Sequence, residues 1–135
     1  MAKGIVTPLT ADHDTARPSV VAQFRLRIKV GEEVAIGPGK IAILEAIAET
    51  GSISAAGRKL RMSYRRAWLL VDQMNHYFNE PVVFTTLGGA QGGGSALTET
   101  GTEVIRLYRT IERDAETHSA TLIYALADKV RSEKI

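Results

Sequence analysis

The clearest alternation of apolar and polar positions in this chain runs from Gln23 to Val30. It places apolar residues on one face and basic residues on the other: Phe24, Leu26, Ile28 and Val30 against Arg25, Arg27 and Lys29. A period of two predicts a half-buried strand whose outer face is basic. Residues 31–33 can turn this strand into a second short one, from Val34 to Ile36.

Helical periodicity replaces the alternation after the break at residues 37–39. Apolar positions between Lys40 and Glu49 recur at helical spacing, and Gly51 follows as a common helix stop. A later stripe has the same spacing and predicts the buried side of another helix. Its members are Ala67, Leu70, Val71 and Met74.

Between these two stripes, the sequence predicts two short helices joined by a tight turn. Ser52 and Ser63 are placed to cap their N-termini, because a serine hydroxyl can accept from an unpaired backbone N–H. The first helix carries small residues, Ala55, Ala56 and Gly57, against which another helix can lie closely. Basic residues cluster here without an acid between Glu49 and Asp72: Arg58, Lys59, Arg61, Arg65 and Arg66. This pattern predicts a helix-turn-helix that reads duplex DNA.

The outward face of the second short helix supplies the candidate base contacts. Arg65 can pair bidentately with guanine, Tyr64 can contact a phosphate or a thymine methyl, and Arg66 is placed for a phosphate. Trp68 is either a core residue or a base contact, and the sequence leaves both open. The predicted DNA-binding residues are Ser52, Ser54, Lys59, Arg61, Ser63, Tyr64, Arg65, Arg66, Trp68 and Leu69, with Gly89, Gln91, Gly92, Gly93 and Gly94 from the following glycine-rich loop.

That loop lies between two segments of strand composition, residues 82–85 and 95–98, after Pro81 has ended the helix. The pattern predicts a hairpin with a glycine tip, a wing. A phosphate-binding loop of the nucleotide-binding type is excluded, because no Lys-Ser or Lys-Thr follows the glycines and no helix opens there. The favoured interpretation is that bare backbone N–H groups of this loop approach DNA. The alternative is a hairpin without a binding role.

Thr98 is placed to cap a final helix that carries a weak coiled-coil-like seam. We expect this helix to join two copies of the chain into a homodimer, with the alternative that it packs back on its own domain. The predicted interface residues are Tyr108, Ile111, Ala115, His118, Leu122 and Ala125.

The 135 residues predict a mainly α chain with small β elements, divided into a flexible leader (1–19), a winged helix-turn-helix domain (20–98) and a C-terminal dimerisation helix (99–135). The formal net charge is only +2, so the prediction of nucleic-acid binding rests on the local clustering of basic residues. There is no cysteine, no apolar run of membrane-spanning length and no signal-peptide core. These features favour the cytoplasm.

Catalytic and metal chemistry find no support in the sequence. The histidines lack metal-ligand spacing, and no carboxylate pair or nucleophile–base arrangement stands out. We therefore expect no cofactor and no enzyme activity. The rival to a DNA-binding regulator is a protein-interaction or ligand-sensing module without an operator of its own.

Several motifs together resemble the N-terminal winged helix of molybdate-responsive, ModE-type regulators, which is itself similar to the DNA-binding domain of LysR-type regulators. They occupy residues 39–47, 50–56, 62–68, 72–75 and 88–98. The resemblance implies a dimeric bacterial or archaeal transcription factor that controls molybdate uptake or molybdoenzyme genes. It also implies that Ser63, Tyr64, Arg65 and Arg66 are recognition-helix positions and that Gly88 to Ser95 form the wing.

Two departures from that family pattern shape the expectations. Full-length members carry C-terminal oxyanion-binding modules, whereas one predicted helix follows the wing here, so we expect the signal to come from a separate effector protein, from protein concentration or from a small ligand. The family wing also carries a basic residue among its glycines. Nothing from Pro81 to Thr98 is charged here, so attraction between wing and phosphate should be weaker.

Overall fold

A computed structural model of the chain describes residues 6–8, 19–86 and 94–130. Its elements, in chain order, are β1 (Val6–Pro8), β2 (Val21–Gln23), β3 (Ile28–Val30), β4 (Glu33–Ile36), α1 (Pro38–Thr50), α2 (Ile53–Lys59), α3 (Tyr64–Tyr77), β5 (Val83–Thr86), β6 (Gly94–Leu97) and α4 (Glu99–Ala127). The strands pair antiparallel in sequence order, as β1–β2, β3–β4 and β5–β6. This is the predicted winged helix-turn-helix with small β elements and a long final helix. None of the described helices is both long and apolar enough to cross a membrane.

The described residues divide into two compact units. One spans Leu26–Tyr108, and the other combines residues up to Arg25 with those from Arg109 onward. The first unit extends past residue 98, where we had expected the DNA-binding domain to end. The reason is Tyr108, whose side chain is only 3% exposed and belongs to that unit's core.

The core of the first unit forms around α1. This helix is apolar on most sides and is correspondingly buried, with Ile41, Ile43, Leu44 and Ile47 fully enclosed. The predicted inward stripe of α3 packs on the same cluster: Ala67, Leu70, Val71 and Met74 are all buried.

Local capping explains where α2 and α3 begin and where α1 ends. Ser52 accepts a hydrogen bond from the backbone N–H of Ala55 at 2.8 Å, which confirms the first predicted cap. Ser63 accepts from the N–H of Arg66 at 3.1 Å, which confirms the second. Gly51 ends α1 at φ 77°, in the left-handed region that glycine enters without steric cost.

The predicted continuous strand from Gln23 to Val30 is wrong. β2 ends at Gln23 and β3 begins only at Ile28, with an irregularity in its ladder between Ile28 and Lys29. Ile28 and Val30 are about half exposed. Alternation marks residues able to form a half-buried strand, but burial also needs a partner layer, and among the described strands β3 pairs only with β4.

The second unit contains a strand that the sequence did not predict. Val6–Pro8 pairs with Val21–Gln23, although residues 1–19 were expected to form a flexible leader. Three residues without periodicity give no local signal, and only the ladder with β2 reveals the strand. The remaining leader residues up to 18 lie outside the described part of the chain.

Candidate nucleic-acid interface

The turn between α2 and α3 brings the two helices into close contact. A Cβ built on Gly57 would lie 3.1 Å from the Cβ of Ala67, closer than nearly all real contacts of that kind. This confirms that small residues on α2 allow the close approach. Arg61 lies in the turn at φ 57°, a left-handed conformation that costs a non-glycine residue roughly 1–2 kcal/mol.

All five basic residues of this segment are exposed: Arg58, Lys59, Arg61, Arg65 and Arg66. They are not equally available for DNA. Lys59 forms an ion pair with the exposed carboxylate of Glu49, and Arg58 donates to the hydroxyl of Ser54 at 2.8 Å. Within the part of the chain that the structure describes, Arg61, Arg65 and Arg66 form no ion pair.

The ion pair between Glu49 and Lys59 has an electrostatic signature. The hydrogen bond from Lys59, followed by its positive charge, holds the pKa of the Glu49 carboxyl below its usual value. The same charge that would attract a phosphate is therefore partly neutralised inside the protein. The sequence placed Glu49 at the edge of the basic cluster but could not show that it reaches Lys59, ten residues later.

The outward face of α3 carries the predicted recognition residues. Tyr64 is 60% exposed and Leu69 is half exposed. The ring of Tyr64 meets the ring of Trp68 edge to face, with centroids 6.1 Å apart. Trp68 is only partly buried and packs against the core cluster. This packing agrees with the core interpretation in part, and contact of Trp68 with a base stays a prediction.

A concave surface of about 200 Å³ lies between the helix-turn-helix and the wing; we call it the slot. It is uncharged and rich in hydroxyl groups. The lining residues are Ser52, Ile53, Ser54, Tyr64, Trp68, Thr85, Thr86, Gly94 and Ser95. Sequence reasoning placed Ser95 in the wing but missed Thr85 and Thr86, whose only signal was their position just before the glycine-rich loop.

The base of the wing is held to the rest of the first unit. The hairpin aligns Val83 with Leu97 and Thr86 with Gly94, which confirms the predicted strands within one residue at each end. The N–H of Ser95 donates to the carbonyl of Gly51 at 2.9 Å, in the turn before α2. The predicted contacts Gly89, Gln91, Gly92 and Gly93 lie outside the described residues.

The predicted dimer residues on α4 separate into two groups. Tyr108 is buried within its own unit, so its side chain presents little surface to a second chain. The other five are at least partly exposed: Ile111, Ala115, His118, Leu122 and Ala125. The seam pattern alone could not distinguish the inward-facing end of the helix from its exposed part.

Comparison with known proteins agrees with this geometry. Residues 39–102 match the family of bacterial regulatory helix-turn-helix proteins of the lysR type. The chain is 38% identical over 92 residues to the molybdenum transport protein ModE of Azotobacter vinelandii, covering 67% of this chain and 34% of that protein.

Two further relatives show the same partial coverage. Identity is 46% over 77 residues with the molybdenum-pterin-binding protein MopB of Rhodobacter capsulatus, covering 57% of this chain and 28% of that one. It is 34% over 87 residues with the DNA-binding transcriptional dual regulator ModE of Escherichia coli K12, covering 64% and 33% respectively. The chain thus spans about a third of the length of these relatives and matches their N-terminal part. Residues 39–102 therefore match the lysR-type helix-turn-helix model, and the chain is similar in sequence to part of the ModE-type regulators.

Proposed function

We propose that this chain binds duplex DNA sequence-specifically through α2, the turn and α3, and acts as a transcriptional regulator. The observation that carries the proposal is the exposed side of α3, where Arg65 and Arg66 form no ion pair with any described residue. An exposed guanidinium at the start of a helix that follows a tight turn is what major-groove recognition requires.

The basic residues take different roles in this proposal. Arg65 reads a guanine, and Arg66 and Arg61 neutralise phosphates. Lys59 contributes less, because binding a phosphate would require it to leave the carboxylate of Glu49. The slot and the wing lie beside α3 and would meet the adjacent DNA backbone.

A homodimer is part of the same proposal. The second unit exposes large apolar side chains on the last turns of α4, with Leu122 76% exposed and Leu126 70% exposed. Leu126 also lines an apolar groove of about 330 Å³ whose other wall includes Val21 and Phe24. A second copy covering these residues would bury apolar area and set two α3 helices about one DNA turn, or a multiple of it, apart.

The relatives' names suggest which genes are regulated. We infer that the chain controls genes of molybdenum uptake or use, because the matched proteins are named for molybdenum transport and molybdenum-pterin binding. The effector would be sensed outside residues 39–102, by a separate effector-binding protein or another domain. A DNA partner also implies that the protein works in the cytoplasm.

The proposal is tested by selecting bound sequences from a random duplex pool with the full chain. We expect enrichment of one motif made of two inverted half-sites. Recovery of no motif, with binding instead to a protein partner across the α3 face, would favour the interaction-module alternative. The Arg106→Ala/Arg113→Ala variant serves as the control for general charge effects. It removes two cations from α4, outside the proposed interface, and should select the same motif.

A further inference from the structure

Asn75, near the end of α3, makes three hydrogen bonds to the start of the wing. Its Oδ1 accepts from the backbone N–H of Val82 at 2.8 Å and from that of Val83 at 3.2 Å. Its Nδ2 donates to the carbonyl oxygen of Val83 at 3.1 Å. The carboxamide therefore pairs with both backbone groups of Val83, as a neighbouring strand would.

These bonds satisfy backbone polar groups at the edge of β5 that faces away from β6. The carbonyl of Val82 accepts from the N–H of Thr98 at 3.0 Å, and Val83 lies opposite Leu97 in the ladder. Successive residues of a strand direct their backbone groups to opposite edges, so β6 does not satisfy the polar groups of Val83. Asn75 does so, and thereby attaches the base of the wing directly to α3.

The same side of α3 also faces the wing nearer the start of the helix. Asn75 follows Trp68 by seven residues, about two helical turns, so the two side chains lie on one side of α3. Trp68 lines the slot together with Thr85 and Thr86 of β5. Helix and strand therefore face each other across the slot and are joined by hydrogen bonds at Asn75.

We propose that Asn75 is a positioning residue for DNA recognition, which holds the wing at the angle that lets wing and α3 reach the duplex together. This inference rests on the DNA-binding function proposed above. From Val83 to Thr86 the strand is about 10 Å long at roughly 3.3 Å per residue. A rotation of about 15° at its base displaces Thr86 by about 3 Å, more than the tolerance of a hydrogen bond.

The wing has a second anchor, which limits what loss of Asn75 does. The bond from Ser95 to Gly51 holds β6 to the turn before α2. Without Asn75, β5 loses its hydrogen bonds to α3 and keeps only the burial of Val83 in the core, while β6 keeps its own anchor. The expected defect is a wing that stays formed but samples several angles.

A double-mutant cycle with the full chain tests this role. Asn75→Ala is introduced into the wild type and into a short-wing variant in which residues 87–93 are replaced by Asn-Gly. Since Thr86 pairs with Gly94, a two-residue turn fits this register. We expect Asn75→Ala to lower affinity for the selected duplex about tenfold in the wild type and less than about twofold in the short-wing variant.

Hydrogen exchange gives a readout that does not depend on DNA. Asn75→Asp is the comparison variant, because its carboxylate keeps acceptors for Val82 and Val83 while it loses the donor and sets a negative oxygen against the Val83 carbonyl. Exchange of the Val82 and Val83 amides should quicken about tenfold in Asn75→Ala and stay closer to wild type in Asn75→Asp. Where Asn75→Ala does not fold, Asn75→Asp replaces it in the double-mutant cycle, with an expected loss of affinity of about threefold in the wild-type wing background.

The outcomes separate this inference from the proposed function. Equal losses of affinity in both wing backgrounds, or no loss in either, would overturn the positioning role while leaving DNA binding intact. A wild-type chain that binds no duplex would overturn the proposed function itself, and the positioning role with it.

Discussion

The hydroxyl of Tyr108 donates a hydrogen bond to the backbone carbonyl of Leu26 across 2.8 Å, joining residues 82 positions apart. Both belong to the first unit, so the bond ties the early part of α4 to the segment that precedes β3. The position is structural, although the heptad-like spacing of α4 predicted a dimer contact there.

Replacing Tyr108 by Phe separates these two roles. The ring stays in place and only the hydroxyl is lost, leaving the Leu26 carbonyl without this donor. We expect a loss of about 1 kcal/mol in the free energy of unfolding and an unchanged dimer dissociation constant. Chemical denaturation and analytical ultracentrifugation measure the two quantities. A weakened dimer at unchanged stability would restore Tyr108 to the interface.

Features of this fold that depend on neighbouring residues could be predicted from the sequence. The caps at Ser52 and Ser63 each bond within three residues, and the inward stripe of α3 follows from helical spacing alone. The bonds from Asn75 to Val83 and from Tyr108 to Leu26 join separate elements. Nothing in the local sequence pattern specifies which distant backbone group a partly buried amide or a buried hydroxyl will meet.

Arg61 offers a case in which stability and DNA binding should change in opposite directions. Arg61→Gly relieves the left-handed conformation of the turn, so we expect about 1 kcal/mol of added stability. It also removes a cation proposed to meet a phosphate, so affinity should fall for all DNA sequences. The slope of log affinity against log salt concentration should become less steep by about 1. Arg61→Ala is the control, because it loses the same charge without relieving the backbone. Equal melting temperatures for the Gly and Ala variants would contradict the strain argument.

Glu49 should restrain DNA binding through its ion pair with Lys59. Glu49→Gln leaves Lys59 free for a phosphate, and we expect about twofold to threefold tighter binding to all sequences with a steeper salt slope. Stability should change little, because exposed ion pairs contribute little.

Mild acid should not imitate this substitution. Because Lys59 lowers the pKa of Glu49, the carboxylate stays ionised below the pH at which an ordinary glutamate protonates, and the pair breaks only as the pH falls through that lowered value. Mobility-shift titrations at several salt concentrations measure the effect. Unchanged affinity in Glu49→Gln would show that Lys59 does not approach the DNA.

The proposed dimer is tested at Leu122, whose exposure makes a polar substitution harmless to the monomer's own packing. We expect Leu122→Glu to yield a monomer with an unchanged melting transition of the first unit and weak binding to the two-half-site duplex. Thr117→Glu adds the same charge at another exposed position of α4 and should remain dimeric. Light scattering gives the mass of each. A dimeric Leu122→Glu would place the interface elsewhere.

The most direct measurement compares wild type with Arg65→Ala on the selected duplex and on a duplex in which the guanine of one half-site is replaced. We expect Arg65→Ala to lose about 1–3 kcal/mol on the selected duplex and to distinguish the two duplexes poorly. Arg66→Ala should weaken both duplexes alike. Equal affinity of wild type and Arg65→Ala for both duplexes would contradict the proposal that α3 reads DNA.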